Sequence, residues 1–186
     1  MTTDPGTAPA PPESKRPWGT ILVWAGVLGL LAVVGIGLIR AQQGPIGVGS
    51  KPRPFILKTF DGVEYDTGKL LGQVVVINFW ASWCTPCEQE AAELEQAYQR
   101  FKDQGVVFLG VNYVDTEPEA RAYLKRFGIT YPNGPDLGTR ISQAFRIRGV
   151  PETYILDKDG VLAHVKIGPY SSVDEIVQAI ESVQAR

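Results

Sequence analysis

Apolar positions along the chain form one unbroken block and then a long alternation of short runs and helical spacings. From Ile21 to Ile39 (ILVWAGVLGLLAVVGIGLI) there is no charge. Wound as a helix at about 1.5 Å per residue, this block reaches roughly 28 Å, close to the roughly 30 Å of a bilayer core. It is apolar on every face, and its glycines at 26, 29, 35 and 37 are better tolerated in lipid than in water. The pattern predicts a transmembrane helix over residues 20–40. Arg40 follows the block at once and Ile39 stands three places before a cut at Ala41, which fits a retained signal anchor rather than a cleaved signal peptide.

Beyond the block the period changes repeatedly. PFILKTFDGVEY places two short apolar runs around Asp61-Gly62, a hairpin signal. VVVINFW (74–80) and VVFLGVN (106–112) are continuous β-branched and aromatic runs, as strands covered on both faces require. Between them Ala91, Leu94, Tyr98 and Phe101 recur at helical spacing. Thr116 with Glu119 forms a capping box for a helix that Gly128 stops after Phe127. A short helix is expected around 139–145. Strands at 153–157 and 161–168 join across Lys158, Asp159 and Gly160, and Ser172 with Glu175 caps a last helix. Strand-helix-strand alternation ending in a hairpin and a helix predicts an α/β fold, a mixed sheet with helices on both faces, over residues 53–186.

The flanking segments differ in composition. Residues 1–19 are rich in proline, hold little that could be buried, and read as a disordered tail. Residues 41–52 combine glycine and proline and read as a tether. The formal charge of −2, from 18 basic and 20 acidic residues, offers no basic field for nucleic acid. Cations stand on both sides of the apolar block, so the positive-inside rule does not set its orientation.

Two cysteines, Cys84 and Cys87, and a single histidine are too few ligands for a structural zinc site, and no metal is expected. The pair lies in FWASWCTPCEQE, where the first buried strand gives way to its helix. At the helix start Cys84 meets unpaired backbone N–H groups and the positive end of the macrodipole, which favour the thiolate, so Cys84 is the candidate nucleophile. Cys87, one turn on and further inside, is placed to resolve a mixed disulfide on Cys84. Pro86 suits the first turn because the N–H it lacks would have had no partner there. Glu90 follows Cys87 by three on the face that also carries Leu94, an unusual place for a carboxylate; from there it would raise the thiol pKa values and could shuttle a proton.

NFWASWCTPCEQE, VNYVD and GVPETYILDKDG, together with the leading apolar block, are similar to the TlpA/ResA/DsbE branch of the thioredoxin superfamily. The resemblance covers about 53–186. It implies a thioredoxin fold with an N-terminal hairpin and an inserted αβ element, and a Cys84–Cys87 redox pair that needs no separate cofactor. It also implies a single-pass membrane protein with its tail in the cytoplasm and its domain outside. There it would reduce disulfides of proteins such as apocytochrome c, recharged by an upstream membrane thiol reductant. By the same resemblance Val150-Pro151 is a cis-proline beside the pair, with Val150 presenting main chain to a substrate strand and Trp83 and Pro86 completing the docking surface. Glu90 matches an active-site glutamate of this branch. Asn78 stands where ordinary thioredoxins carry a buried aspartate, so a proton relay needs another group, which favours Glu90. Glu152 is a further candidate or a rim charge, Trp80 a core residue, Arg146 and Arg148 a solvated pair or a contact for an acidic partner, and His164 a packed or surface histidine.

The sequence leaves two other functions open. A thiol peroxidase shares the fold, but its pattern places threonine and proline where this chain has Ala81 and Ile77. A copper-binding assembly protein would use two thiolates and a histidine, whereas the spacing here is CxxC rather than CxxxC and His164 has no motif around it.

Overall fold

A computed structural model of the chain describes residues 18–41 and 45–186. The tail expected over 1–19 therefore lies, up to residue 17, outside the described residues, as do positions 42–44 of the expected tether. The chain divides into two units between residues 43 and 44. In the first, helix α1 (Trp18–Ala41) contains the window Ile21–Leu38, with a mean hydropathy of 2.5 and no part of it buried. By length and composition it is able to cross a membrane.

The second unit opens with the expected hairpin, β1 (Ile56–Lys58) against β2 (Glu64–Asp66), antiparallel. A five-stranded sheet follows, built from β3 (Val74–Trp80), β4 (Val106–Asn112), β5 (Asn133–Pro135), β6 (Glu152–Leu156) and β7 (Leu162–Ile167), in the order β5-β4-β3-β6-β7. β3 pairs parallel with β4, and β4 with β5, while β6 and β7 run antiparallel, so the sheet is mixed. Helices α2 (Thr85–Phe101), α3 (Glu117–Phe127), α4 (Arg140–Phe145) and α5 (Val173–Gln184) complete the fold.

The pleat of the central strand divides the core in two. Val74 and Val76 point to the layer holding Leu94, Ala97 and Phe101 of α2 and Ile176 and Ile180 of α5. Val75, Ile77 and Phe79 point the other way, onto Ile141 and Phe145 of α4 and Leu57 of β1. Every residue of β3 is buried, which is why its sequence reads as a continuous apolar run rather than an alternation.

Two details depart from the expectation. Strand β5 has the sequence NGP, which carries no strand pattern. Its glycine is required by close approach: a Cβ on Gly134 would stand 2.3 Å from the Lys58 carbonyl oxygen of β1. Pro135 is accommodated because β5 is an edge strand. The second departure is the tether, whose part from 45 to 52 lies on the domain. Ile46 is buried, its N–H donates to the Phe145 carbonyl at 3.2 Å, and Gly49 and Ser50 exchange backbone hydrogen bonds with Leu162 at 2.8 Å. Burial of Ile46 and these backbone hydrogen bonds together hold a segment whose glycine and proline read as a tether in the sequence. The folded unit therefore begins before the boundary expected at 53.

Candidate active site

The last residue of β3 and the first of α2 are separated by the four residues Ala81 to Cys84. Cys84 is the N-cap of α2, in extended backbone, and Pro86 occupies its first turn. The Cys84 Sγ accepts the Cys87 N–H at 3.2 Å, so the sulfur takes the position of a capping oxygen. Charge left on this sulfur after reduction meets a backbone donor and the positive end of a 17-residue helix. The two cysteines form a disulfide with Cα atoms 5.3 Å apart. The expected contrast between an open nucleophile and an inner partner is small in this oxidised state, with Cys84 at 3% exposure and Cys87 at 1%. Trp83 and Pro86, by contrast, are exposed around them.

The antiparallel pairing of β3 with β6 brings the second element of the site alongside. Phe79 lies opposite Glu152, and the Val150-Pro151 bond immediately before Glu152 is cis. Val150 packs against the cluster that contains Cys84 and Cys87.

Glu90 is 1% exposed. Despite being charged in type, it stands in the core and not on a solvated helix face. Its Oε1 accepts the Asn78 Nδ2 at 2.9 Å and its Oε2 accepts the Tyr170 N–H at 2.8 Å. Burial raises its pKa to about 7, against the opposing effect of those two hydrogen bonds and of Lys166. Asn78, which cannot itself titrate, also donates to Thr153 Oγ1 at 3.0 Å and so ties the carboxyl to β6.

Glu152 is also buried, at 2% exposure, which removes the reading of it as a rim charge. Its Oε1 accepts the backbone N–H groups of Arg148 and Gly149 at 2.8 and 3.3 Å, and its Oε2 accepts the Tyr154 hydroxyl at 2.6 Å. It fixes the backbone that leads into the cis bond. Arg146 and Arg148 are exposed on that loop. Trp80 is a core residue as expected, stacked on Tyr123 and donating through Nε1 to Asn133 Oδ1 at 2.8 Å. Gly110 is glycine to admit that asparagine, since a Cβ there would fall 1.7 Å from Oδ1. His164 lies across from Ile155 with its Nε2 unpartnered, and burial lowers its pKa. No group of three or more metal-ligating side chains exists among the described residues.

One residue of the site, the last of the VNYVD motif, has no role that the sequence assigns to it. Asp115, in the loop between β4 and α3, accepts from Ser82 N–H at 2.7 Å, Ser82 Oγ at 2.8 Å, Asn112 Nδ2 at 2.9 Å and Thr116 N–H at 2.8 Å. Burial pushes its pKa up, but these donors outweigh it and hold the carboxyl below the usual range. Beside it the Trp83 Nε1 donates to the Val114 carbonyl at 3.0 Å.

A dithiol–disulfide pair at the head of a helix, following the central strand of a mixed sheet and flanked by a cis-proline, defines a redox protein of thioredoxin-like fold. Residues 48–165 match the AhpC/TSA family, and the chain belongs to that family. Thiol-disulfide oxidoreductase ResA of Geobacillus thermodenitrificans (strain NG80-2) is 30% identical over 158 residues, which cover 83% of this chain and 90% of that protein. Thiol:disulfide interchange protein DsbE of Allochromatium vinosum is 42% identical over 103 residues, 54% of each chain. Among solved structures, a thiol:disulfide interchange protein of the thioredoxin family from Chlorobium tepidum TLS superposes with a TM-score of 0.66 at 26% identity, over 74% of this chain and 97% of that one. Within its family the chain thus stands with the ResA- and DsbE-like oxidoreductases.

Proposed function

We propose that the protein reduces disulfides of extracytoplasmic proteins, with the Cys-x-x-Cys-His segment of apocytochrome c as its substrate type, through a Cys84–Cys87 dithiol–disulfide cycle. The Cys84 thiolate attacks one sulfur of the substrate disulfide; a mixed disulfide forms, and the departing substrate thiolate takes a proton. Cys87 then gives its proton to the Glu90 carboxylate and attacks Cys84 Sγ. The substrate's second thiolate leaves and is protonated, and Cys84 and Cys87 end as the disulfide. The substrate gains two electrons and the protein loses them. An upstream membrane thiol reductant returns them by the same exchange in reverse.

The observation that carries this reading is the placement of Cys84 Sγ as the cap of α2, with Cys87 N–H on it at 3.2 Å and a carboxyl of pKa about 7 one turn beyond Cys87. The first feature favours a nucleophilic thiolate, and the second supplies a group that accepts and releases a proton near neutral pH. Substrate disulfides persist outside the reducing cytoplasm, so the domain works on that side, tail inside, with helix α1 as a single-pass anchor in the cell membrane.

The test uses the full chain, reduced, in detergent, against an oxidised Cys-x-x-Cys-His peptide. Stoichiometric release of peptide thiols, together with accumulation of a Cys84–peptide disulfide in Cys87→Ser, is expected. Absence of thiol release, with consumption of hydrogen peroxide instead, sinks the proposal in favour of peroxidase chemistry.

A further inference from the structure

The short loop after β4 is hydrogen-bonded to Ser82 and Trp83, just before Cys84, and its geometry is not what packing alone requires. Val114 is a β-branched residue with φ of 43°, in the left-handed region that favours glycine, and its side chain is 58% exposed rather than buried. A strained backbone that places an apolar side chain in solvent gains nothing for the core, and such strain gathers at binding and catalytic sites. Across from it Trp83, the residue before Cys84, is 59% exposed and anchored by its indole N–H to the Val114 carbonyl. Ser82, Trp83, Val114, Asp115, Thr116 and Glu119 together line a shallow cleft of about 650 Å³.

Asp115 holds the two sides of this cleft together. Its four accepted hydrogen bonds reach backward to Asn112, forward to Thr116, and across to both the N–H and the hydroxyl of Ser82. The residue before it is Val114 and the residue after Ser82 is Trp83, so one carboxylate fixes the backbone on both sides of the Trp83–Val114 contact. We propose that Asp115 is a positioning residue for substrate recognition, and that the Trp83–Val114 wall it holds receives an apolar side chain next to the substrate cysteine under attack.

The inference rests on the disulfide-reductase reading and names the part of the substrate which that reading leaves open. Cys84 follows Trp83 directly, so a chain presenting its sulfur to Cys84 lays its neighbouring side chain into this cleft. An aromatic face and an isopropyl group bind an apolar side chain by area and discriminate poorly among its shapes, which suits a protein acting on several cysteine-bearing segments.

The experiment compares the reduced full chain in detergent with Asp115→Ala, Asp115→Asn and Val114→Gly. Each acts on two oxidised Cys-x-x-Cys-His peptides, one with leucine and one with glycine beside the first cysteine, and on a small hydroxyl-bearing aliphatic disulfide that has neither a flanking chain nor an apolar side group. Wild type is expected to favour the leucine peptide about tenfold in kcat/KM, the order of one apolar side chain in a pocket. Asp115→Ala and Val114→Gly should raise KM for the leucine peptide by about five- to tenfold with kcat within about twofold, and cut its advantage over the glycine peptide to about twofold. Asp115→Asn, which keeps one of the two oxygens, should fall between. Val114→Gly relieves the positive φ and so should not lower the midpoint of thermal unfolding, which keeps the test alive if Asp115→Ala does not fold. The rate with the small disulfide should fall by less than that with the leucine peptide. Unchanged peptide selectivity in Val114→Gly, or an equal loss toward peptide and small disulfide, overturns the inference alone. Failure of the wild type to reduce either peptide overturns the reductase reading with it.

Discussion

Helix α2 and the first residue of β6 each bury a glutamate, and the two hold different partners. Glu90 receives one side-chain amide and one backbone N–H in a setting apolar enough to raise its pKa to about 7. Glu152 receives two backbone N–H groups and a phenol, all from its own neighbourhood in sequence. One carboxyl is poised to change charge; the other holds main chain in place so that the cis bond stands beside the sulfurs. Glu90 takes its donors from β3 and from Tyr170, far along the chain, whereas Glu152 clamps the main chain of the loop just before it.

The largest effects are expected at the sulfurs. Cys84→Ser should lower peptide reduction about a thousandfold or more without loss of fold, whereas Cys87→Ser should complete the first attack and stop at the mixed disulfide, as gel mobility and mass would show. On the scaffold side, Glu152→Ala leaves two backbone donors and the Tyr154 hydroxyl unpaired, and should cost about 4 kcal/mol in denaturant unfolding. Equal behaviour of Glu90→Gln and Glu152→Gln in unfolding would erase the distinction drawn between them.

Glu90 carries a pH signature that sharpens it. Its folded pKa lies above the ordinary carboxyl value of 4.5, so the native state binds its proton more tightly than the unfolded chain. The resulting stabilisation is full below pH 4.5 and is lost as pH rises to about 7. At about 1.4 kcal/mol per unit this amounts to about 3 kcal/mol, and Glu90→Gln should abolish the slope. The same substitution removes a negative charge near the thiols and should move their alkylation curve to lower pH; superimposable curves would refute a role for Glu90 in thiol ionisation. Smallest in effect, Trp80→Phe gives up the indole hydrogen bond to Asn133 and should cost about 1 kcal/mol in unfolding, with little change in turnover.

Much of this was readable in the chain because the relevant signals are local. A continuous β-branched run, a cysteine at a helix start and a proline two residues on are determined by backbone sterics and hydrogen bonding within a few residues. Glu90 was readable because helical spacing placed a carboxylate on an apolar face. The cis bond at Pro151 came only through resemblance, since nothing local separates it from an ordinary trans turn.

What was not readable depends on partners distant in sequence. Strand β5 exists because Gly134 lets β1 approach, and Asn133 fits because Gly110 leaves space; neither leaves a period-two pattern. Ile46 looked like part of a tether because the core place it fills is made by residues far along the chain. The role of Asp115 comes from Ser82, 33 residues away, brought near by the parallel pairing of β3 and β4.

The central claim is that Cys84 rather than Cys87 is the attacking sulfur. Treating the reduced full chain with a substoichiometric alkylating agent at neutral pH, and then mapping the modified peptide, tests it directly. Nearly all of the label should be on Cys84; label on Cys87, or an even division between the two, would contradict the account.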